Sequence, residues 1–162
     1  ETCRPCGAGS FSASGAAECT PCLQTTYSAT PGQDTCQPCV PFSTTIGDGS
    51  TGCYACLEGY YRVPFKVKIV DEEGEDVKSN VACSNETDLD PTFFAACCRP
   101  CNEISGTRNC DEGTTLESLP IKRNYWRATE LDDSLYRCFY KKICEGWGPG
   151  SKRDSYGDGL CQ

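Results

Sequence analysis

Eight of the sixteen cysteines stand in four close pairs, Cys3/Cys6, Cys19/Cys22, Cys36/Cys39 and Cys53/Cys56. They read C-x2-C-x12-C-x2-C-x13-C-x2-C-x13-C-x2-C, a period of 16 to 17 residues. A repeat this short has room for turns and a small hairpin only. Proline precedes the second cysteine in three pairs, at Pro5, Pro21 and Pro38. An aromatic follows that cysteine five positions on at Phe11, Tyr27 and Tyr61, while the third unit has Phe42 two places earlier. Gly, Ser, Thr and Ala fill the intervals, and nothing there has a helical period.

Composition explains why the cysteines matter. Nominal hydrophobic content is 38 %, but Leu, Ile, Val and Phe together number 25 of 162 residues and the net charge is −8. So few large aliphatics with net charge are the signature of a disordered chain. Sixteen cysteines reverse that expectation, because crosslinks replace the missing core.

Paired cysteines admit three chemistries. Four thiolates at C-x2-C-x12-C-x2-C can hold zinc tetrahedrally, and a single C-x-x-C beside a helix can be redox-active. Zinc modules of this kind are typically intracellular and often basic, whereas residues 1–61 hold one basic side chain, Arg4. Four motifs in series are also not a redox site, so the pairs read as structural disulfides of an extracellular chain. The absence of histidine removes Ser-His-Asp and Cys-His catalysis and imidazole metal ligation. A pI near 4.6 argues against nucleic acid. No apolar run reaches the roughly 18–20 residues that cross a bilayer. The chain opens at Glu1 with no signal-peptide pattern, which reads as a mature form or a fragment.

Cys-Arg-Pro-Cys-Gly-Ala-Gly-Ser-Phe-Ser (residues 3–12), Cys-Thr-Pro-Cys-Leu-Gln-Thr-Thr-Tyr-Ser (19–28) and Cys-Leu-Glu-Gly-Tyr-Tyr-Arg (56–62) resemble ephrin-receptor-like cysteine-rich repeats, relatives of EGF-like and tumour necrosis factor receptor modules. The resemblance covers about the first 62 residues and, loosely, residues 90–101. It implies an extracellular module for display, spacing or contact, without enzymatic activity. It also implies a pairing, Cys6–Cys19, Cys22–Cys36 and Cys39–Cys53, with Cys56 closing onto Cys97; Cys83, which departs from the family pattern, is the alternative partner of Cys56. Cys3 is left without an obvious partner inside the chain.

Residues 62–97 interrupt the repeat. Residues 63–70 alternate polar and apolar, residues 71–76 are an acidic turn and residues 77–82 follow as a second strand, together a β-hairpin. Asp71, Glu72, Glu73, Glu75 and Asp76 are best read as its solvated tip; calcium would use the same carboxylates, but EF-hand spacing is absent. Asn85-Glu86-Thr87 is the one N-x-[ST] sequon and marks Asn85 for an N-linked glycan in a secreted chain.

Cys97-Cys98-Arg99-Pro100-Cys101 restarts the motif, its adjacent cysteines similar to those at junctions of tumour necrosis factor receptor modules, and Cys101 and Cys110 bracket a short loop that they can close. Beyond residue 111 the charge is balanced and the aromatics concentrate. Tyr125, Trp126, Arg127, Tyr140 and Trp147 are the candidate contact residues, since Trp, Tyr and Arg dominate interface hot spots; a small module core would use the same aromatics. This stretch resembles Tyr-Trp-Arg-containing segments of large extracellular multi-module proteins.

The expected fold is small and disulfide-rich. It is an elongated tandem of short β-hairpin repeats with little regular secondary structure (1–61), a β-hairpin insertion with repeat closure (62–97) and an irregular C-terminal cysteine-rich aromatic module (98–162). The expected role is an extracellular structural or interaction module of a cell-surface, matrix or filament-forming glycoprotein, a rigid spacer contacting other copies or modules of its assembly. The alternative is a receptor ectodomain binding a protein ligand. No catalytic residue, cofactor or metal is expected, and no contact with nucleic acid or insertion into a membrane.

Overall fold

The computed structural model describes residues 4–64, 66–70, 76–83 and 91–139. Among them there is no α-helix, and every strand belongs to a two-stranded antiparallel pair. β1 (Ser10–Phe11) pairs with β2 (Thr20–Pro21), β3 (Thr26–Tyr27) with β4 (Gln37–Pro38) and β5 (Ser43–Thr44) with β6 (Ala55–Cys56). β7 (Tyr60–Arg62) reaches past an insertion carrying β8 (Lys66–Val70) and β9 (Asp76–Ala82) to pair with β10 (Cys98–Pro100). β11 (Tyr125–Trp126) pairs with β12 (Tyr136–Arg137).

One turn generates this series. The amide N–H of Ser10, Thr26, Ser43 and Tyr60 donates to the carbonyl three residues back, that of Gly7, Leu23, Val40 and Leu57. The third residue of each turn has positive φ: Gly9 84°, Thr25 72°, Phe42 66° and Gly59 86°. That combination marks a type II turn. Each turn residue then accepts, through its own carbonyl, an N–H from the returning strand: Cys22 to Gly9, Cys39 to Thr25, Leu57 to Phe42 and Cys101 to Gly59, all at 2.9 Å. Two residues of strand are too few to hold a hairpin in water. The turn, the return bond and a disulfide supply what the ladder lacks.

The same signature recurs twice where the cysteine period is absent. Thr107 donates to Ile104 across Gly106 (φ 106°) and Tyr125 donates to Lys122 across Asn124 (φ 72°). Lys122 returns to the Gly106 carbonyl and Cys138 to that of Asn124. The described part of the C-terminal segment has the little regular structure expected and is organised as two further hairpin turns, the fifth closed by a single β-bridge, Thr107↔Ile121, and the sixth by β11 and β12. In the last of them Ile121 and Leu135 occupy the places of Cys22 and Cys36. The separation is the same, and Tyr125↔Arg137 stands to them as Thr26↔Pro38 stands to the bridged pair. Ile121 is fully buried and Leu135 half-buried, two apolar residues where the repeats carry a bridge. Restoring the link is a direct check. I121C/L135C is expected to form a new bridge on oxidation, with no additional free thiol on titration and loop-closure stabilisation near 3 kcal/mol before the loss of Ile121 packing. Two extra free thiols in the oxidised protein would refute the equivalence.

Successive hairpins stack through backbone. The loop glycines Gly32, Gly49 and Gly113 donate N–H to the carbonyls of Cys6, Cys22 and Cys56 at 2.8, 2.7 and 2.9 Å. Gly9 and Gly59 donate to Ser28 and Cys110, both at 2.8 Å. The approach is close enough that a Cβ on Gly9 would sit 2.0 Å from the Gly49 carbonyl oxygen, so only glycine fits there.

Six disulfides link described residues: Cys6–Cys19, Cys22–Cys36, Cys39–Cys53, Cys56–Cys98, Cys83–Cys97 and Cys101–Cys110. Cys138 is disulfide-bonded as well. The first three and the last of the six follow the expected pairing, but Cys56 bonds to neither Cys97 nor Cys83. Pairing of β7 with β10 puts Cys98 opposite Arg62 and Pro100 opposite Tyr60, which makes Cys98-Arg-Pro-Cys101 the counterpart of Cys19-Thr-Pro-Cys22. Cys98 therefore closes the fourth hairpin as Cys19 closes the first. Cys97 ends a 3₁₀ segment (Pro91–Cys97), and its carbonyl accepts from Val63 N–H at 3.0 Å. Consecutive side chains at the start of a strand point to opposite sides, and Cys97 bonds Cys83 to pin the insertion. The expected insertion hairpin is present as β8 and β9, with register shifts between Val67 and Val70. Cys3 and the acidic residues 71–75 lie outside the described residues.

The apolar core is small and sits where the fourth and fifth hairpins meet. Tyr61, Val63, Phe94, Leu116 and Leu119 pack among Cys56, Cys83, Cys97, Cys98, Cys101 and Cys110. Tyr54 meets Phe94 edge-on with ring centroids 6.2 Å apart. A division drawn between residues 97 and 98 passes through this cluster. In the third hairpin Thr44 holds the position that carries Phe11, Tyr27 or Tyr61 elsewhere. It is fully buried, and its hydroxyl is the one buried side-chain polar atom among the described residues without a hydrogen bond. Thr44→Val is expected to raise stability by about 1 kcal/mol in chemical denaturation, because the burial of an unpaired hydroxyl is relieved; a loss of stability would contradict this.

Candidate interaction surface

The residues expected to form a contact patch separate in the structure. Trp126 and Tyr136 are cross-strand partners, with ring centroids 5.3 Å apart at 37°, and Tyr136 is half exposed. The Tyr125 ring lies over Gly106, where a Cβ would come within 2.4 Å of it. Close packing of a ring on backbone explains why a glycine with φ 106° stands at that turn. Arg127 does not belong to an exposed patch. It is fully buried, and its guanidinium donates to the carbonyl of Leu116 and, at 2.8 Å, to that of Glu117. A planar fork of donors suits two successive carbonyls, so Arg127 clamps the loop of the fifth hairpin onto the strand of the sixth. Asn85, Tyr140 and Trp147 lie outside the described residues.

A second aromatic group surfaces in the repeats. Phe42, at the positive-φ position of the third turn, stacks on Tyr60 of the fourth with centroids 4.7 Å apart and an interplanar angle of 26°. Leu23 and Ile46 are exposed in the neighbouring units. Single exposed apolar residues are ordinary on a protein surface.

A polar cleft of about 370 Å³ lies between the fourth and sixth hairpins, lined by Tyr61, Arg99, Pro100, Glu103, Ile104, Ser105, Asp133 and Leu135. Three pieces of chain build it. β7 and β10 bring Arg99 directly opposite Tyr61. The short 3₁₀ turn Cys101–Glu103 carries Glu103 to the rim, and the loop before β12 supplies Asp133 and Leu135. Tyr61 is 2 % exposed, and its hydroxyl has no hydrogen-bond partner among the described residues. Burial first, then the charge of Asp133 and to a smaller degree that of Glu103, push its pKa up to about 12 against the opposing charge of Arg99. The hydroxyl thus stays protonated well above neutrality. The unfolded phenol releases its proton near pH 10, so this group's contribution to stability is complete below pH 10 and is lost between 10 and about 12. Spectrophotometric titration is expected to show one late-ionising tyrosine that disappears in Tyr61→Phe; a variant with an unchanged titration curve would contradict the assignment.

None of these lining residues had a sequence signal pointing to a site. Tyr61 stands at the repeat's aromatic position, and Asp133 is one acidic residue among many. Only folding of separate hairpins brings them together.

Comparison with known proteins agrees with this architecture over part of the chain. Residues 9–56 match the family described as tyrosine-protein kinase ephrin type A/B receptor-like. No curated protein and no solved structure matches the chain. The matched segment holds the three strand pairs β1 to β6 and the bridges Cys22–Cys36 and Cys39–Cys53, and it marks these as ephrin-receptor-like cysteine-rich repeats, a module of extracellular interaction. Among the described residues no helix is long and apolar enough to cross a membrane.

Proposed function

We propose that the ephrin-receptor-like repeats and the hairpins that follow them act as a rigid, disulfide-stapled spacer in a large cell-surface, matrix or filament-forming glycoprotein. In this reading its contacts are with other copies or modules of the same assembly, and it performs no catalysis. The observation that carries it is the backbone-to-backbone stacking of successive hairpins, each closed by its own turn and, in most cases, its own bridge. A serial array of this kind resists bending and presents side chains at regular intervals along its length. Electron microscopy of the native material tests it. Periodic contacts between copies are expected, and protein that stays monomeric at high concentration without such contacts would overturn the assembly role. Asn85 carries an N-linked glycan in this proposal, which enzymatic deglycosylation followed by mass measurement checks.

The receptor reading is favoured by the description of the matched family, which names receptors. The parent sequence discriminates between the two. Many further repeats support the spacer, whereas a single spanning helix followed by a kinase or adaptor-binding tail supports the receptor.

A further inference from the structure

We infer that the cleft between the fourth and sixth hairpins receives the charged end of a lysine or arginine side chain from a partner protein. The inference rests on reading the chain as an interaction module and names the chemistry of one of its contacts. Four observations converge on it. The cleft holds two carboxylates, Glu103 and Asp133, against one guanidinium, Arg99, so its own charge is negative and an anion is disfavoured. Pro100, Ile104 and Leu135 form an apolar wall beside these acids, matching the methylene stem of a basic side chain whose head is polar. The Tyr61 side chain is almost wholly buried, lines the cleft and makes no hydrogen bond through its hydroxyl among the described residues. Its lone pairs can accept a hydrogen bond from an ammonium or guanidinium N–H. Finally, the described residues contain no group of three or more acidic, histidine or cysteine side chains able to hold a metal, so two separate carboxylates are better matched by an organic cation than by a metal ion.

Each group has a distinct task. Glu103 and Asp133 neutralise the incoming charge through charge-assisted hydrogen bonds. Tyr61 orients the head group from the floor. Arg99, opposite Tyr61 in the strand pair, holds off a second cation and limits the site to one. Glu103 and Asp133 are exposed, so their removal leaves the fold intact and the inference open to direct test.

The probes are N-acetyl-arginine amide and N-acetyl-lysine amide, titrated into protein carrying ring-labelled tyrosine and followed by NMR. Saturable shifts of the Tyr61 resonances are expected, weakened at least tenfold in E103Q/D133N and progressively by added salt, and unchanged in D34N. No shift with either probe, equal shifts with methyl glucoside or N-acetyl-glutamate amide, or equal binding by E103Q/D133N would each overturn the inference. Such a failure would leave the spacer reading standing, because that reading is tested by assembly of the native material and not by this cleft.

Discussion

Replacing Cys56 and Cys98 together by alanine is expected to destabilise the protein by about 4 kcal/mol, the largest effect of removing any one of the six bridges. Their sequence separation is 42, against 13 or 14 for the neighbouring hairpin bridges and 9 for Cys101–Cys110. Loop-closure entropy rises with the logarithm of loop length, so C22A/C36A is expected to lose about 3 kcal/mol and C101A/C110A somewhat less. Location adds to length. Cys56 and Cys98 both lie in the apolar cluster, and this bridge fastens β7 to β10 on either side of the insertion. With the bond removed, the pairing of Tyr60–Arg62 with Cys98–Pro100 depends on three residues of ladder. Urea denaturation of the oxidised double variants measures the order directly. If C56A/C98A lost no more than C22A/C36A, the insertion would be holding the two strands together without the bridge.

The second large effect is expected at Arg127. Alanine there should cost about 2–4 kcal/mol, since it strips donors from two carbonyls and opens a cavity at a fully buried position. Leu116 carbonyl retains a 3.3 Å bond from Leu119 N–H, which keeps the figure from rising further. Lysine should recover less than half, because a single ammonium lacks the planar fork that spans successive carbonyls. Both are read as shifts of the denaturation midpoint. A change within about 0.5 kcal/mol, the usual range for a surface substitution, would return Arg127 to the exposed patch where sequence composition places it.

The contrast between Arg127 and Trp126 shows how sequence reading reaches its limit. Both stand in one Tyr-Trp-Arg triplet, and both are residue types that favour interfaces. Alternation at the end of β11 sends them to different surroundings, Trp126 half-buried against Tyr136 and Arg127 fully buried against the 116–117 backbone. The alternation could be read in advance only if the strand were known. Cysteine spacing does not mark this strand, because the hairpin that holds it lacks the bridged pair. Pro120-Ile121, followed by Asn124 and Trp126, does repeat the Pro-Cys spacing to the turn residue and the aromatic, with isoleucine in place of cysteine. That was the available signal, and it depends on treating buried isoleucine as a substitute for half a disulfide.

The pairing of Cys56 failed for a related reason. The family resemblance implies Cys6–Cys19, Cys22–Cys36 and Cys39–Cys53, because its pattern joins the second cysteine of each close pair to the first of the next. At residue 56 the loop contains 41 intervening residues and three cysteines that could answer it. Cys83, Cys97 and Cys98 are indistinguishable by composition. Register decides: Pro100 opposite Tyr60 leaves Cys98 as the residue that meets Cys56.

By itself the sequence determined the class of this protein. Sixteen cysteines in a chain poor in aliphatics, half of them on a 16–17-residue period, leave only stapled hairpins, because covalent links must replace a core too small to hold the chain. Tertiary structure decided everything that depends on which strands meet. It set the partner of Cys56, the extension of the hairpin series into a stretch without the cysteine period, the burial of Arg127 and the gathering of Tyr61, Arg99, Glu103 and Asp133 around one cleft. The reason is range. Turn and bridge chemistry acts across about fifteen residues and is written locally, whereas the cleft joins positions more than seventy residues apart, which only the stacking of hairpins brings into contact.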